Sequence, residues 1–105
     1  MAPFPKLLLL SLNIIVIFNK QEIFMELKQL EAFVAVVDYN SFSEAARHLF
    51  LTQPTVSAHV ASLEKELDTK LISRTTKKLH VTPQGYDLYD SAVSMLKIRD
   101  HILNE

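Results

Sequence analysis

Short polar side chains follow one another at the start of an apolar segment in the middle of the chain. The stretch TQPTVS places an amide at Gln53 and hydroxyls at Thr52, Thr55 and Ser57. An amide presents a donor beside an acceptor, so Gln53 can bond adenine, while the hydroxyls can bond a base or a phosphate. A helix N-terminus also favours a phosphate, because its first N–H groups are unpaired. The same residues make an ordinary helix cap, and residue types alone leave the two interpretations even.

One helix must position these side chains, and its residue pattern predicts one buried apolar face and an opposite, exposed face of mostly small residues. Thr52 is the predicted N-cap, Pro54 lies in the first turn, where its missing N–H costs nothing, and Asp68 ends the helix. The apolar stripe consists of Val56, Val60, Leu63 and Leu67. The opposite face consists of Pro54, Ala58, Ala61 and Lys65.

Two predicted helices precede this one. Apolar residues recur at helical spacing from Leu27 to Tyr39, and Asn40 can take the left-handed conformation that ends a helix. Ser41 and Glu44 then form the S-x-x-E pattern of a capping box, which starts a short helix ending at Leu49. Phe50 and Leu51 form the turn into the third helix.

Two short strands and a long helix are predicted after it. Residues 71–74 and 79–81 alternate as strands around the turn 75–78, and Thr82 and Pro83 supply the cap and first residue of a helix reaching about Asn104. That last helix is apolar on more than one side, as expected of a helix covered by two partners. The predicted fold is mainly α: a winged helix-turn-helix of three helices and a two-stranded wing, followed by a long dimerisation or linker helix.

The overall composition excludes some classes of site, whereas the local distribution of charge indicates where a nucleic acid could bind. The chain has 105 residues, a net charge of −1 and no cysteine, so there is no disulfide framework or thiolate metal site, and a reducing cytoplasm is compatible. The four histidines are scattered, and no catalytic triad or phosphate-binding loop can be placed, so we expect no metal, no cofactor and no enzymatic activity. Between Arg47 and His80 there are six Lys or Arg against three Asp or Glu. The positive side therefore coincides with the predicted helix-turn-helix and wing.

The segments that carry the predicted elements resemble, in order, the N-terminal domain of LysR-type transcriptional regulators. They read L-K-Q-L-E-A-F-V-A-V, S-F-S-E-A-A, L-F-L-T-Q-P-T-V-S, L-E-K-E-L and L-x-x-R-T-x-x-x-x-x-x-T-P-Q-G. The resemblance implies a bacterial regulator that binds inverted repeats in double-stranded DNA as a homodimer, paired through its C-terminal helix. The DNA contacts implied by position, with the cap included, are Thr52, Gln53, Pro54, Thr55 and Ser57 on the third helix and Arg74, Lys77 and Lys78 at the wing.

The chain departs from the family pattern at several positions. Asn40, Asp68 and Thr76 stand where the family often has Gly, and Thr tolerates left-handed backbone least. Ala58 and His59 stand where a long polar residue is common, so we expect a phosphate contact to be missing at Ala58 and His59 to be a packed residue. Family members also carry a large effector-binding domain after the linker helix, so no small-molecule effector is expected on these residues.

The predicted organisation has three parts: an apolar leader at 1–24, a winged helix-turn-helix at 25–82 and a linker helix at 83–105. Leu7 to Phe18 is apolar but shorter than the ~20 residues a membrane-spanning helix needs. We expect the leader to reflect a start assigned too far upstream of Met25; a genuine membrane anchor is the second interpretation. A winged helix used only for protein interaction and a membrane-tethered regulator remain as alternative functions.

Overall fold

The computed structural model describes residues 25–75 and 78–104. Its elements are α1 (Leu27–Tyr39), α2 (Phe42–Leu49), α3 (Gln53–Leu67), β1 (Ile72–Arg74), β2 (Leu79–Val81) and α4 (Pro83–Leu103). The strands pair antiparallel, with Ser73 opposite His80. The mainly helical winged helix-turn-helix predicted from the sequence is confirmed. The predictions for the leader and for Thr76 and Lys77 in the wing turn lie outside the described residues.

Local hydrogen bonds fix where the first two helices begin. Glu26 precedes α1, and its backbone carbonyl accepts from the N–H of Gln29 at 3.0 Å, while Gln29 Oε1 accepts from the N–H of Glu26 at 3.0 Å. Ser41 Oγ caps α2 by accepting from the N–H of Glu44 at 3.1 Å. The Glu44 carboxylate turns to Arg47, at 3.0 Å from Nη2, instead of back to Ser41. The predicted capping box of α2 is therefore only half formed, because the nearby guanidinium is a stronger partner.

Three helices end in left-handed backbone at a residue that is not glycine. Asn40, after α1, has φ 51°, and Asp68, after α3, has φ 48°, as the sequence predicted. Phe50, after α2, has φ 57°, although its side chain has no polar group that could favour this conformation locally. The turn between α2 and α3 imposes this conformation on Phe50. A hydrogen bond from the Leu51 N–H to Ala46 O, at 2.9 Å, closes that turn.

The core lies where α1 packs against the other helices. Phe33 and Leu30 of α1 are fully buried together with Val56, Val60 and Leu63 of α3, so the predicted apolar stripe of α3 is confirmed. Leu67, the last member of that stripe, packs against the core while partly exposed. Burying these side chains orients α3 with its opposite face toward solvent.

The wing is anchored to α3 by a carboxylate. Glu64 Oε2 accepts from the backbone N–H of Leu71 at 2.8 Å and of Ile72 at 3.1 Å. Both donors belong to residues that are 1% exposed, so Glu64 supplies bonds that water cannot. The start of β1 is thereby fixed relative to α3.

A glycine allows α4 to start against the wing. Thr82 caps α4 by accepting from the N–H of Gly85 at 3.0 Å, and its hydroxyl donates to Lys70 O at 2.6 Å. A β-carbon added to Gly85 would lie 2.4 Å from Leu71 O and 2.8 Å from a methyl carbon of Val81. The close approach of α4 to both strands therefore requires glycine at this position.

Polar bonds attach α4 to α1. Tyr89 Oη donates to Asp38 Oδ1 at 2.5 Å, and Arg99 Nη1 donates to Glu31 Oε2 at 2.6 Å. The bond to the Asp38 carboxylate, followed by burial, raises the pKa of Tyr89 above its ordinary value of 10.0. The bond to Glu31 likewise raises the pKa of Arg99. No helix among the described residues is long and apolar enough to cross a membrane.

Candidate nucleic-acid interface

The hydrogen-bonding residues picked out in the sequence lie in the first two turns of α3, on or next to its outer face. Thr52, Gln53 and Pro54 are exposed, and Thr55 and Ser57 are half-buried. The plain face behind them is also exposed, as predicted, at Pro54, Ala58, Ala61 and Lys65. Apart from Lys65 near its C-terminal end, this face carries no long side chain, so the backbone of α3 could come close to a partner.

The cap of α3 uses both threonines. Thr52 Oγ1 accepts from the N–H of Thr55 at 3.3 Å and lies 2.8 Å from the Thr55 hydroxyl. The ordinary cap interpretation of Thr52 is therefore correct as far as it goes. A hydroxyl in this position can still accept or donate a further bond on its solvent side. The two roles are compatible.

Gln53 has a partner that the sequence did not indicate. Ser43 Oγ, in the first turn of α2, donates to Gln53 Oε1 at 3.2 Å. Both side chains are exposed, so the bond lies at the surface where α2 meets α3. The signal was absent from the sequence because ten residues and a turn separate the two positions.

Arg74 links the wing to both helices of the helix-turn-helix. Its guanidinium carbon lies 3.7 Å from the centre of the Phe42 ring, and its Nη2 donates to Ser57 Oγ at 3.4 Å. A cation over an aromatic face is attracted by the negative face of the ring. The predicted site residues Arg74 and Ser57 are thus brought together, while Phe42 is a supporting residue that sequence reasoning missed.

Lys78 is the other predicted wing contact among the residues that the structure describes. Its side chain is exposed, and its backbone closes the turn with Thr75, whose N–H donates to Lys78 O at 3.0 Å. Lys77, predicted beside it as a contact, lies outside the described residues. Within residues 25–75 and 78–104, Arg74 and Lys78 form no ion pair, whereas Arg47 is paired with Glu44 and Lys70 with Glu64. Unpaired cations are therefore found on the wing.

The described residues contain no group of three His, Asp or Glu side chains that could hold a metal ion. His48 stacks on Tyr39, with ring centres 4.0 Å apart, and His59 is half-buried on α3. The candidate interface therefore consists of hydroxyls, one amide and cations at the start of α3 and on the hairpin.

These elements, in this order and with the hairpin beside the third helix, define a winged helix-turn-helix protein. The family described as bacterial regulatory helix-turn-helix protein, lysR family, matches residues 27–86. The chain belongs to the LysR family.

Relatives and solved structures agree on this placement. The chain is 38% identical over 80 residues to the HTH-type transcriptional regulator BenM of Acinetobacter baylyi, covering 76% of this chain and 26% of BenM. It is 43% identical over 67 residues to the HTH-type transcriptional regulator CysL of Bacillus subtilis, covering 64% of this chain and 22% of CysL. The chain thus spans about a quarter of the length of these regulators.

The crystal structure of the BenM DBD with catB site 1 DNA has a TM-score of 0.71 and 37% identity, over 75% of this chain and 89% of that one. A complex of the CbnR DBD with DNA has a TM-score of 0.71 at 25% identity, over 75% of this chain and 91% of that one. The fold of the present chain is therefore that of LysR-family winged-helix domains.

Proposed function

We propose that this chain binds double-stranded DNA, with the N-terminal half of α3 in the major groove and the wing against the phosphate backbone. In helix-turn-helix proteins the second helix of the motif reads bases through its N-terminal residues. The observation that carries the proposal is the exposed, small-residue face of α3, with Gln53 at its start and the unpaired cations Arg74 and Lys78 on the adjacent wing. Because relatives are named transcriptional regulators, we propose that this binding serves the regulation of transcription.

The proposed site residues divide into those that would contact bases, called readers below, and those that would contact phosphates, called anchors. Gln53 would read a base through its amide, and Thr55 and Ser57 would bond bases or phosphate. Thr52 and Pro54 shape the helix start that approaches the backbone, and the helix N-terminus itself favours a phosphate. Arg74 and Lys78, with Lys77 beside them in the sequence, would neutralise phosphates and supply salt-dependent affinity.

Pairing with a second copy through α4 completes the proposal. Leu27 of α1 and Met95, Ile98, Ile102 and Leu103 of α4 line an exposed apolar groove. An apolar surface of this kind marks an interface more often than a free surface. Two copies related by a twofold axis would present two α3 helices, and the matching DNA would be an inverted repeat.

In this proposal residues 25–82 form the DNA-binding unit and 83–105 the dimerising helix. A bacterial chromosomal target places the protein in the cytoplasm, and none of the proposed roles calls for a cofactor or an enzymatic step. A protein-interaction module is the second candidate, supported only by the apolar groove. DNA binding is favoured because two of the unpaired cations, Arg74 and Lys78, lie together on the wing next to α3, while α4 carries Asp87, Asp90 and Asp100 against Lys97 and Arg99.

The test compares a proposed reader with a proposed anchor. Gln53→Ala should cost ~1–3 kcal/mol on a preferred duplex and relax the preference at one base pair. Lys78→Ala should weaken binding to every duplex and reduce the magnitude of the log–log salt slope by ~1. Lys97→Ala, an exposed lysine on α4, is the matched control and should change neither quantity.

Fluorescence anisotropy against a selected and a scrambled duplex, over a salt series, measures all three variants. Identical, salt-insensitive behaviour of the three variants and the unmodified chain would reject the proposal and favour the interaction module.

A further inference from the structure

We infer that Ser43, which lies outside the recognition helix, orients the Gln53 amide and so helps determine which base pair α3 prefers. The inference rests on the DNA binding proposed above. It starts from one contact, the Ser43 hydroxyl donating to Gln53 Oε1 at 3.2 Å across the junction of α2 and α3.

An amide side chain that is free to rotate can exchange its donor and acceptor by turning through half a circle. Its oxygen accepts and its nitrogen donates, so the two orientations present opposite patterns to a base edge. In this structure Ser43 donates to the oxygen, which therefore lies toward α2, and the bond restrains rotation of the amide. Within the described residues the Gln53 Nε2 makes no hydrogen bond, and its two N–H groups are left as donors away from α2. A purine N7, a guanine O6 or a thymine O4 accepts such a bond in the major groove.

The first turn of α2, which carries Ser43, is held in place by local contacts. Ser43 lies two residues after the cap Ser41, in a turn held by the bond from the Glu44 N–H. Phe42, its neighbour, is 7% exposed in the core and carries the Arg74 guanidinium on its ring. Ser43 is therefore presented from a rigid turn, as an orienting residue must be.

Ser43 is thus a positioning residue, and its loss has a distinct signature. A hydroxyl that touched only phosphate would change affinity for all duplexes equally. A hydroxyl that orients Gln53 changes the ratio of affinities between the preferred base pair and its replacement. That ratio should fall about two- to tenfold, which is what one neutral hydrogen bond is worth.

The experiment measures this ratio by fluorescence anisotropy on a duplex selected from a random pool. A second duplex differs from it by one base pair, the one whose replacement weakens binding of the unmodified chain but not of Gln53→Ala. The ratio compares the affinities for these two duplexes. Ser43→Ala should lower the ratio, and Ser43→Thr, which keeps the hydroxyl, should restore it. Ser62→Ala removes an exposed hydroxyl further along α3 and serves as the control, with an unchanged ratio.

A double-mutant cycle isolates the coupling between the two residues. In the Gln53→Ala background, Ser43→Ala should have no further effect on the ratio, because there is no amide left to orient. An equal effect of Ser43→Ala in both backgrounds, or no change in the ratio in either, would overturn the inference while leaving the proposed function intact. Failure of the unmodified chain to discriminate any selected duplex from a scrambled one would overturn both.

Discussion

Replacing Glu64 with alanine should destabilise the domain more than any single surface carboxylate normally would. Glu64 Oε2 is the acceptor for the N–H groups of Leu71 and Ile72, and its side chain is only 15% exposed. Alanine would leave both donors without a partner at the start of β1, where the two residues are 1% exposed. The loss therefore includes the cost of two buried, unsatisfied N–H groups.

The magnitude follows from the two bonds. A hydrogen bond to a charged acceptor contributes about 1.5–3 kcal/mol, and two bonds that share one oxygen are not additive. We expect Glu64→Ala to cost about 2–4 kcal/mol, which corresponds to a fall in Tm of roughly 10–25 °C in a domain of this size. Glu64→Gln keeps an acceptor oxygen without the charge and should lose less than half as much.

Urea unfolding followed by circular dichroism measures the free energy of unfolding of each variant. Glu44→Ala is the matched control: that carboxylate is half exposed and pairs with Arg47 on the surface, so its loss should cost less than ~1 kcal/mol. If Glu64→Ala and Glu44→Ala destabilised the domain equally, the anchoring role of Glu64 would be refuted.

Three further predictions concern α3 and α4. Gly85→Ala should lower stability by about 1–2 kcal/mol in thermal melting, because overpacking against the wing outweighs the ~1 kcal/mol gain in helix propensity, whereas Gln84→Ala should not. Ala58→Arg should leave Tm nearly unchanged and steepen the salt dependence of binding to random duplex by ~0.9 in log–log slope; an unchanged slope would mean that residue 58 faces away from DNA. The Tyr89 bond to Asp38 should stabilise the fold below pH 10.0, and this stabilisation should be lost as pH rises through the elevated pKa of Tyr89. In urea unfolding, the difference in free energy of unfolding between the unmodified chain and Tyr89→Phe should therefore shrink at alkaline pH; a constant difference would contradict this.

The sequence predicted the elements because their signals are local. Thr52 and Thr82 cap their helices as expected, since each cap depends on residues within one turn. Asn40 and Asp68 end helices in left-handed backbone for the same local reason. The left-handed Phe50 was not predictable, because its conformation depends on how α2 and α3 are joined.

The candidate site was predictable in its residues and not in its contacts. Polar side chains at the start of α3 marked Gln53 and Ser57 as candidate contacts, although residue types alone left an ordinary helix cap equally open. The partners of these two residues, Ser43 and Arg74, come from other elements, and the Ser57 contact spans 17 residues. Such pairs follow from packing, which one sequence does not encode in any periodic pattern. Glu64 was passed over for the same reason: its carboxylate serves backbone donors seven and eight residues away.

The most direct test of the central claim is the ratio of dissociation constants for a selected and a scrambled duplex, measured at one fixed salt concentration. Duplexes would first be enriched from a random pool by repeated binding to the full chain. Recognition by α3 in the major groove, from two copies paired through α4, predicts two half-sites related by an inverted repeat, one helical turn or a multiple of it apart. It also predicts at least a hundredfold tighter binding to the selected duplex, about 3 kcal/mol, still short of the range typical of specific DNA-binding proteins. Equal affinity for both duplexes, with no sequence enriched from the pool, would contradict it.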